Sequence, residues 1–177
     1  DNSYRGRKYW CQVRLLYSPA FMDEMDNLIT ETCKQGVTTL GNIDINHIAE
    51  QYTAAWNSQN PASVAAFFAE GATLYVNDAA STGREAITEV ARSFMDAFPD
   101  MKLLMDKLET QTNPVTFHWT FIGTNTGPEG TGKAVHFSGY EEWTIGSDGL
   151  IAQSSGHFDA DEYQYQLVNG VESASTQ

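Results

Sequence analysis

The residues best suited to chemistry lie in the last third of the chain, SGYEEWTIGSDGLIAQSSGHFDADEYQYQL. Asp159 stands where a strand gives way to a short helix, and His157 precedes it by two residues. On a strand that spacing puts both side chains on one face. A carboxylate that faces an apolar pocket has a raised pKa and becomes a better base near neutral pH. Removing a proton α to a carbonyl needs such a base and a donor for the enolate oxygen. His157 is placed to act as that donor or as a proton shuttle. The same residues also fit a plainer reading, in which Asp159 or Asp161 caps the terminal helix and His157 is structural. Glu141 shares strand parity with Trp143 and is a candidate second pocket carboxylate, although a strand Glu is more often solvated at an edge.

The other reactive types carry less. His118 and His136 fall on strand faces opposite Trp119 and Phe137, so they point away from a cavity lined by those aromatics. Three strand histidines of discordant parity do not form a metal site, and no metal or other cofactor is expected. Ser154 and Ser155 lack the G-x-S-x-G setting of a serine nucleophile. Cys11 and Cys33, 22 residues apart, match neither a zinc spacing nor a CxxC pair. Tyr52, Trp56, Tyr75, Phe94, Trp119, Phe121 and Trp143 are candidates to line a pocket for a flat or ring-shaped ligand. An aromatic stripe is more often plain core, and in this fold some of them must do both.

Bulk composition narrows the function classes. The 177 residues carry a net charge of −13, which repels phosphate backbones and anionic lipid. Nucleic-acid and membrane partners are therefore not expected, and there is no apolar run of membrane-spanning length. With 41% hydrophobic and 12% aromatic residues the chain can fill a core. Two lone thiols suit a reducing, cytoplasmic setting, with a single Cys11–Cys33 disulfide as the alternative. DNSYRGRKYW has positive charge but no apolar stretch after it and does not read as a signal peptide.

The elements that must position these residues can be read in order. Residues 1–42 hold five of the 10 Lys and Arg and read as an extension with a helix over about 19–35. Asp44 caps a helix with the stripe Ile45, Ile48, Ala49, Tyr52, Ala55 and Trp56. Asn60-Pro61 opens a second helix carrying Val64, Phe67 and Phe68 and ending at Gly71. A strand over 72–78 and a polar turn follow. Thr82 caps a third helix running to Phe98, stopped by Pro99. The remainder is strand: 101–111, 114–124, 134–145 and 150–158, with a glycine-rich loop over 124–133 and a hairpin at Gly146-Ser147-Asp148-Gly149. A short helix over 161–167 and a frayed tail from 171 end the chain. Helices first and antiparallel strands afterwards is α+β order, and a curved sheet packing helices on its concave side leaves a cavity. Gly139, in mid-strand, lets a sheet bend.

From about Ile43 to Gly170 the chain resembles the SnoaL-like polyketide cyclases of the nuclear transport factor 2-like superfamily. The resemblance rests on an ordered set of segments. Gly83-Arg84-Glu85-Ala86-Ile87 opens the third helix and Phe98-Pro99-Asp100 closes it. Trp119-Thr120-Phe121-Ile122-Gly123-Thr124-Asn125-Thr126-Gly127 follows, then Phe137-Ser138-Gly139 and Asp148-Gly149-Leu150-Ile151. Asp159 with Gln166-Leu167 completes the order. The resemblance implies a cone-shaped α+β roll, its curved antiparallel or mixed sheet and three main helices enclosing a deep pocket. It also implies a homo-oligomer, dimer or tetramer. At the position of Asp159 the characterised cyclases have an Asp that acts as acid and base in an intramolecular aldol closure, without metal or cofactor. Two departures stand out: Ser155 replaces a frequent Trp, and Trp143 and Ile145 occupy the region of a family His. Tyr75 and Tyr140 are further donors for an enolate, by likeness to the tyrosine of ketosteroid isomerases in the same superfamily. An epoxide hydrolase or dehydratase would instead need an Asp–Arg–Asp or His–Asp set inside the cone, and Arg84 and Arg92 are the arginines at hand.

Two functions follow as expectations. The first is a cofactor-free cyclase, isomerase or lyase acting on an enolisable carbonyl compound, with a small apolar, aromatic or polyketide-like ligand. The second is a non-catalytic module of the same fold that binds a small ligand or dimerises.

Overall fold

Helix α1 (Ile45–Asn57) begins where Asp44 Oδ1 accepts the His47 amide at 3.1 Å, satisfying one of the free N–H groups of the first turn. The computed structural model describes residues 43–171. The expected helix over 19–35, both cysteines and the tail beyond Val171 lie outside these residues. Ala49, Tyr52, Ala55 and Trp56 form the buried stripe of α1. At its end Asn57 binds the Leu103 backbone twice, as donor at 2.9 Å and acceptor at 2.7 Å, and so pins the helix across the sheet.

Helix α2 (Pro61–Ala65) is capped by Asn60, with Pro61 at its start. It is shorter than the spacing of Val64, Phe67 and Phe68 suggests. Strand β1 (Phe68–Val76) begins at Phe68 because the sheet claims that backbone. Phe68 pairs with Ile151, and the Ile151 amide donates to the Phe67 carbonyl at 2.8 Å. Tertiary pairing overrides a marginal helical pattern here. The expected polar turn contains a short strand, β2 (Ala79–Thr82), antiparallel to β1. Thr82 is consequently not the cap of the next helix: its hydroxyl meets Thr73 at 2.9 Å. Gly83, at φ 89°, takes the cap position, a conformation that favours glycine.

Helix α3 (Arg84–Ala97) buries Ile87, Ala91 and Met95. Strands β3 (Lys102–Glu109), β4 (Val115–Thr124), β5 (Ala134–Ile145) and β6 (Ile151–Phe158) complete one sheet of order β2-β1-β6-β5-β4-β3. The β1–β6 pair is parallel and the others antiparallel, so the sheet is mixed. Helix α4 (Ala160–Asn169) closes the chain over β5. Buried Gln166 holds it there, accepting from the His136 amide at 2.7 Å and donating to the His136 carbonyl at 3.0 Å. The result is a curved six-stranded α+β sheet with the core and a cavity on its helix-covered face.

Candidate functional site

Register decides what reaches the cavity. In the β5–β6 pair, Trp143 faces Ser154, Glu141 faces Gly156 and Gly139 faces Phe158. Directly paired residues share a face, so odd positions of β5 lie with even positions of β6. These line the helix-covered side. Trp119 and Phe121 of β4 join them, while Trp56 from α1 and Val90 and Phe94 from α3 form the opposite wall. Together they line a small cavity of about 60 Å³ with an open mouth.

Of the expected pocket residues, Trp56, Tyr75, Phe94, Trp119, Phe121 and Glu141 line this cavity. Tyr52 and Trp143 stand behind it, fully buried, in contact with Glu141. The wall also includes Leu74, Leu103, Phe137, Gly156 and Phe158, which the sequence reading did not single out. The sequence signal for Phe137 and Phe158 was their alternation on strands already recognised.

Glu141 is 7% exposed and, among the described residues, the only buried side chain of the Asp, Glu, Lys, Arg or His types. Its Oε2 accepts from Trp143 Nε1 at 2.8 Å, Ser154 Oγ at 2.8 Å and the Tyr52 hydroxyl at 3.1 Å. Oε1 has only a 3.4 Å contact to the same hydroxyl. One oxygen is anchored and the other retains free lone pairs. Burial raises the Glu141 pKa, against the lowering effect of its three donors. Burial, then the charge of Glu141, raises the Tyr52 pKa well above its usual value, keeping that hydroxyl a neutral donor. Gly156 lies directly across from Glu141 in a tight place; an added Cβ would lie 3.1 Å from the Tyr75 carbonyl and 3.6 Å from Glu141 Cγ. Among the described residues no Lys or Arg lies within ion-pair distance of Glu141.

Asp159 and His157 lie elsewhere. Asp159 is exposed, and its Oδ1 accepts the Glu162 amide at 3.0 Å as the N-cap of α4. His157 pairs with Tyr140 across β5–β6 and stacks on its ring at 4.8 Å, on the face of the sheet turned from the helices. Its Nε2 lies 3.4 Å from Glu142 Oε2 without completing a hydrogen bond. Neither residue lines the cavity. His118 occupies the same outer face, in contact with Glu109 at 3.1 Å. Arg84 donates to the Phe68 carbonyl at 2.7 Å and Arg92 pairs with Glu89 at the surface, so neither lines the cavity wall. Among the described residues no three His, Cys, Asp or Glu side chains are grouped to hold a metal ion. None of the described helices is long and apolar enough to cross a membrane.

A curved α+β sheet that packs helices over an apolar cavity is the architecture of the nuclear transport factor 2-like, ketosteroid isomerase-like class. Within that class residues 49–154 match the SnoaL-like domain, and the chain belongs to the SnoaL-like family. No curated protein sequence matches it. Solved structures share its fold. TsrD from Streptomyces laurentii is 22% identical with a TM-score of 0.62, covering 73% of this chain and 98% of its own. SalBIII, an epoxide hydrolase/cyclase-like enzyme with a role in pyran ring formation in the polyether salinomycin, is 18% identical with a TM-score of 0.59 over 70% and 97%. A hypothetical protein with a ketosteroid isomerase-like fold from Catenulispora acidiphila, solved in complex with trimethylamine, is 20% identical with a TM-score of 0.58 over 67% of this chain and 90% of its own.

Proposed function

We propose that this domain is a cofactor-independent acid–base enzyme of the SnoaL-like type, a cyclase, isomerase or lyase for an enolisable carbonyl compound. The observation that carries the reading is Glu141, a buried carboxylate at the wall of an apolar cavity with one oxygen anchored and one free. In this reading Glu141 Oε1 takes the α-proton, holds it as the neutral acid that burial favours, and returns it to a different atom. Intramolecular attack of the enolate on a second carbonyl would close a ring. Asp159, which caps α4, is then a structural residue. The fold of SalBIII supports the placing of ring-forming chemistry in such a cone, as likeness of fold only.

The protein would be cytoplasmic and homo-oligomeric. Leu104, Ile122 and Tyr140 are exposed on the outer sheet face, where a second copy would cover them. Sedimentation of the wild type against Ile122→Glu tests this, and an unchanged monomeric boundary for both would refute it.

The catalytic reading is tested by α-proton exchange. Cyclic ketones and β-keto esters are incubated with protein in D2O and the α-signal is followed by NMR. The wild type should accelerate exchange, and Glu141→Gln should lose roughly 10²- to 10⁴-fold of that rate. Equal exchange by the two proteins would remove Glu141 as the base. Ligand binding with no exchange by either would favour the non-catalytic module. The three donors on Oε2 suit that second reading as well, because they would equally anchor a structural carboxylate.

A further inference from the structure

Two residues of the cavity wall, Trp119 and Trp56, carry a buried indole Nε1–H with no partner among the described residues. Both residues are more than nine-tenths buried, at 7% and 8% exposure, and both line the cavity. The fold satisfies a buried indole where it has an acceptor to offer: Trp143 Nε1 donates to Glu141 at 2.8 Å. Leaving a buried N–H unpaired is costly, and in a pocket such donors mark where a ligand's acceptor sits.

Trp119 is the better placed of the two. Its ring lies over Gly139, its cross-strand partner, where an added Cβ would come within 2.5 Å of Trp119 Cζ2. Phe137 meets the ring edge-on at 5.8 Å. The indole is thus wedged in one orientation by packing. Trp56 lies near the Tyr52 oxygen, close enough to favour its anion but without a completed hydrogen bond.

Charge narrows the ligand further. Glu141 is the only charged residue in the wall, which includes no Lys, Arg or His, and the whole chain is at −13. A carboxylate or phosphate ligand would meet repulsion and no counter-charge.

We infer that the cavity takes a compact, neutral, mainly apolar carbonyl compound whose oxygen accepts from Trp119 Nε1–H, with Trp56 Nε1–H as the second donor. The ligand oxygen is held on the indole side and its reacting C–H is turned to Glu141. This last clause rests on the acid–base reading above; the carbonyl contact does not. If Glu141 removes the α-proton, negative charge builds on the oxygen facing the indoles, which makes Trp119 a direct stabiliser of the enolate.

The test uses three probes of similar shape: cyclohexanone, methylenecyclohexane and cyclohexanecarboxylate. Binding is followed through the indole N–H signals of ¹⁵N-labelled protein, with Trp119 and Trp56 assigned from Trp119→Phe and Trp56→Phe. Cyclohexanone should move the Trp119 signal downfield and bind roughly tenfold more tightly than methylenecyclohexane. Trp119→Phe should erase that preference while leaving methylenecyclohexane binding nearly unchanged, so that any loosening of the cavity cancels in the comparison. Equal binding of ketone and alkene to the wild type would overturn the inference. So would tightest binding by the carboxylate, an unmoved Trp119 signal at saturation, or no binding by any of the three at millimolar concentration. Catalysis is judged separately. Indole shifts without α-proton exchange would uphold the carbonyl contact and remove the enzyme. Exchange without an indole shift would do the reverse.

Discussion

Replacing Glu141 by Gln should change the pH dependence of stability in a direction fixed by the site. Burial raises the Glu141 pKa above the usual 4.5. Below that value both folded and unfolded chains hold the proton and the group contributes no slope. Above it the unfolded chain releases the proton while the folded chain keeps it, so folding weakens as pH rises. The loss continues up to the folded-state pKa and is constant beyond it. Gln has no proton to lose. Its carbonyl oxygen can take the place of Oε2 and accept from Trp143, Ser154 and Tyr52, so the variant should fold. The stability of Glu141→Gln minus that of the wild type should therefore increase with pH from about 4.5 upward, by at most about 1.4 kcal/mol per pH unit, and then level off.

Urea unfolding at a series of pH values between 4 and 8 measures this difference, and contributions from distant carboxylates cancel in it. A flat difference would mean that Glu141 titrates inside the protein as it does in water. A falling one would mean that its three hydrogen bonds outweigh burial. Either outcome removes the argument for a strengthened base. Glu141→Ala supplies the contrast. It strands three buried donors and should cost roughly 3–5 kcal/mol at any pH.

Other substitutions separate the site from its scaffold. Asp159→Ala should cost about 1 kcal/mol in thermal unfolding through loss of the α4 cap and leave α-proton exchange within twofold of wild type; a loss of exchange matching that of Glu141→Gln would return Asp159 to the chemistry. Gly139→Ala should cost about 1–3 kcal/mol and shift the tryptophan fluorescence, because its Cβ meets the His157 carbonyl and the Trp119 ring at 2.5 Å. Unchanged stability and emission would show that Trp119 is not wedged. Asn57→Ala removes both bonds to Leu103 and should lower stability by about 1–3 kcal/mol, read by urea titration, without altering the pH dependence assigned to Glu141.

Much of the fold could be read from local pattern. Caps at Asp44 and Asn60, the stripe of α3 and the alternation of β4 and β5 are signals carried within a few residues. The errors fall where distant chain decides. Phe68 extends along β1 because Ile151 pairs with it, and residues 79–82 become a strand because β1 offers an edge. Thr82 loses its capping role to the same pairing. A segment's own propensity does not record which edge another segment will leave open.

The site turns on a similar point. Strand spacing gives His157 and Asp159 one parity, but β6 ends at Phe158 and Asp159 caps α4, and parity says nothing of which face His157 takes. The β5–β6 register settles it. Pairing Tyr140 with His157 sends His157 outward, and pairing Glu141 with Gly156 sends the carboxylate inward beside a residue with no side chain. A slip of one residue in that hairpin would turn the other face of β6 inward, carrying His157 into the cavity and placing Ser155 opposite Glu141. The register in turn is held by the close of the hairpin, where Gly146 N donates to the Leu150 carbonyl at 2.8 Å and the pairing shifts between Thr144 and Ile145. The turn GSDG was legible as a turn, but the irregularity beside it was not. That one irregular step keeps His157 on the outer face and sets Gly156, not Ser155, opposite Glu141.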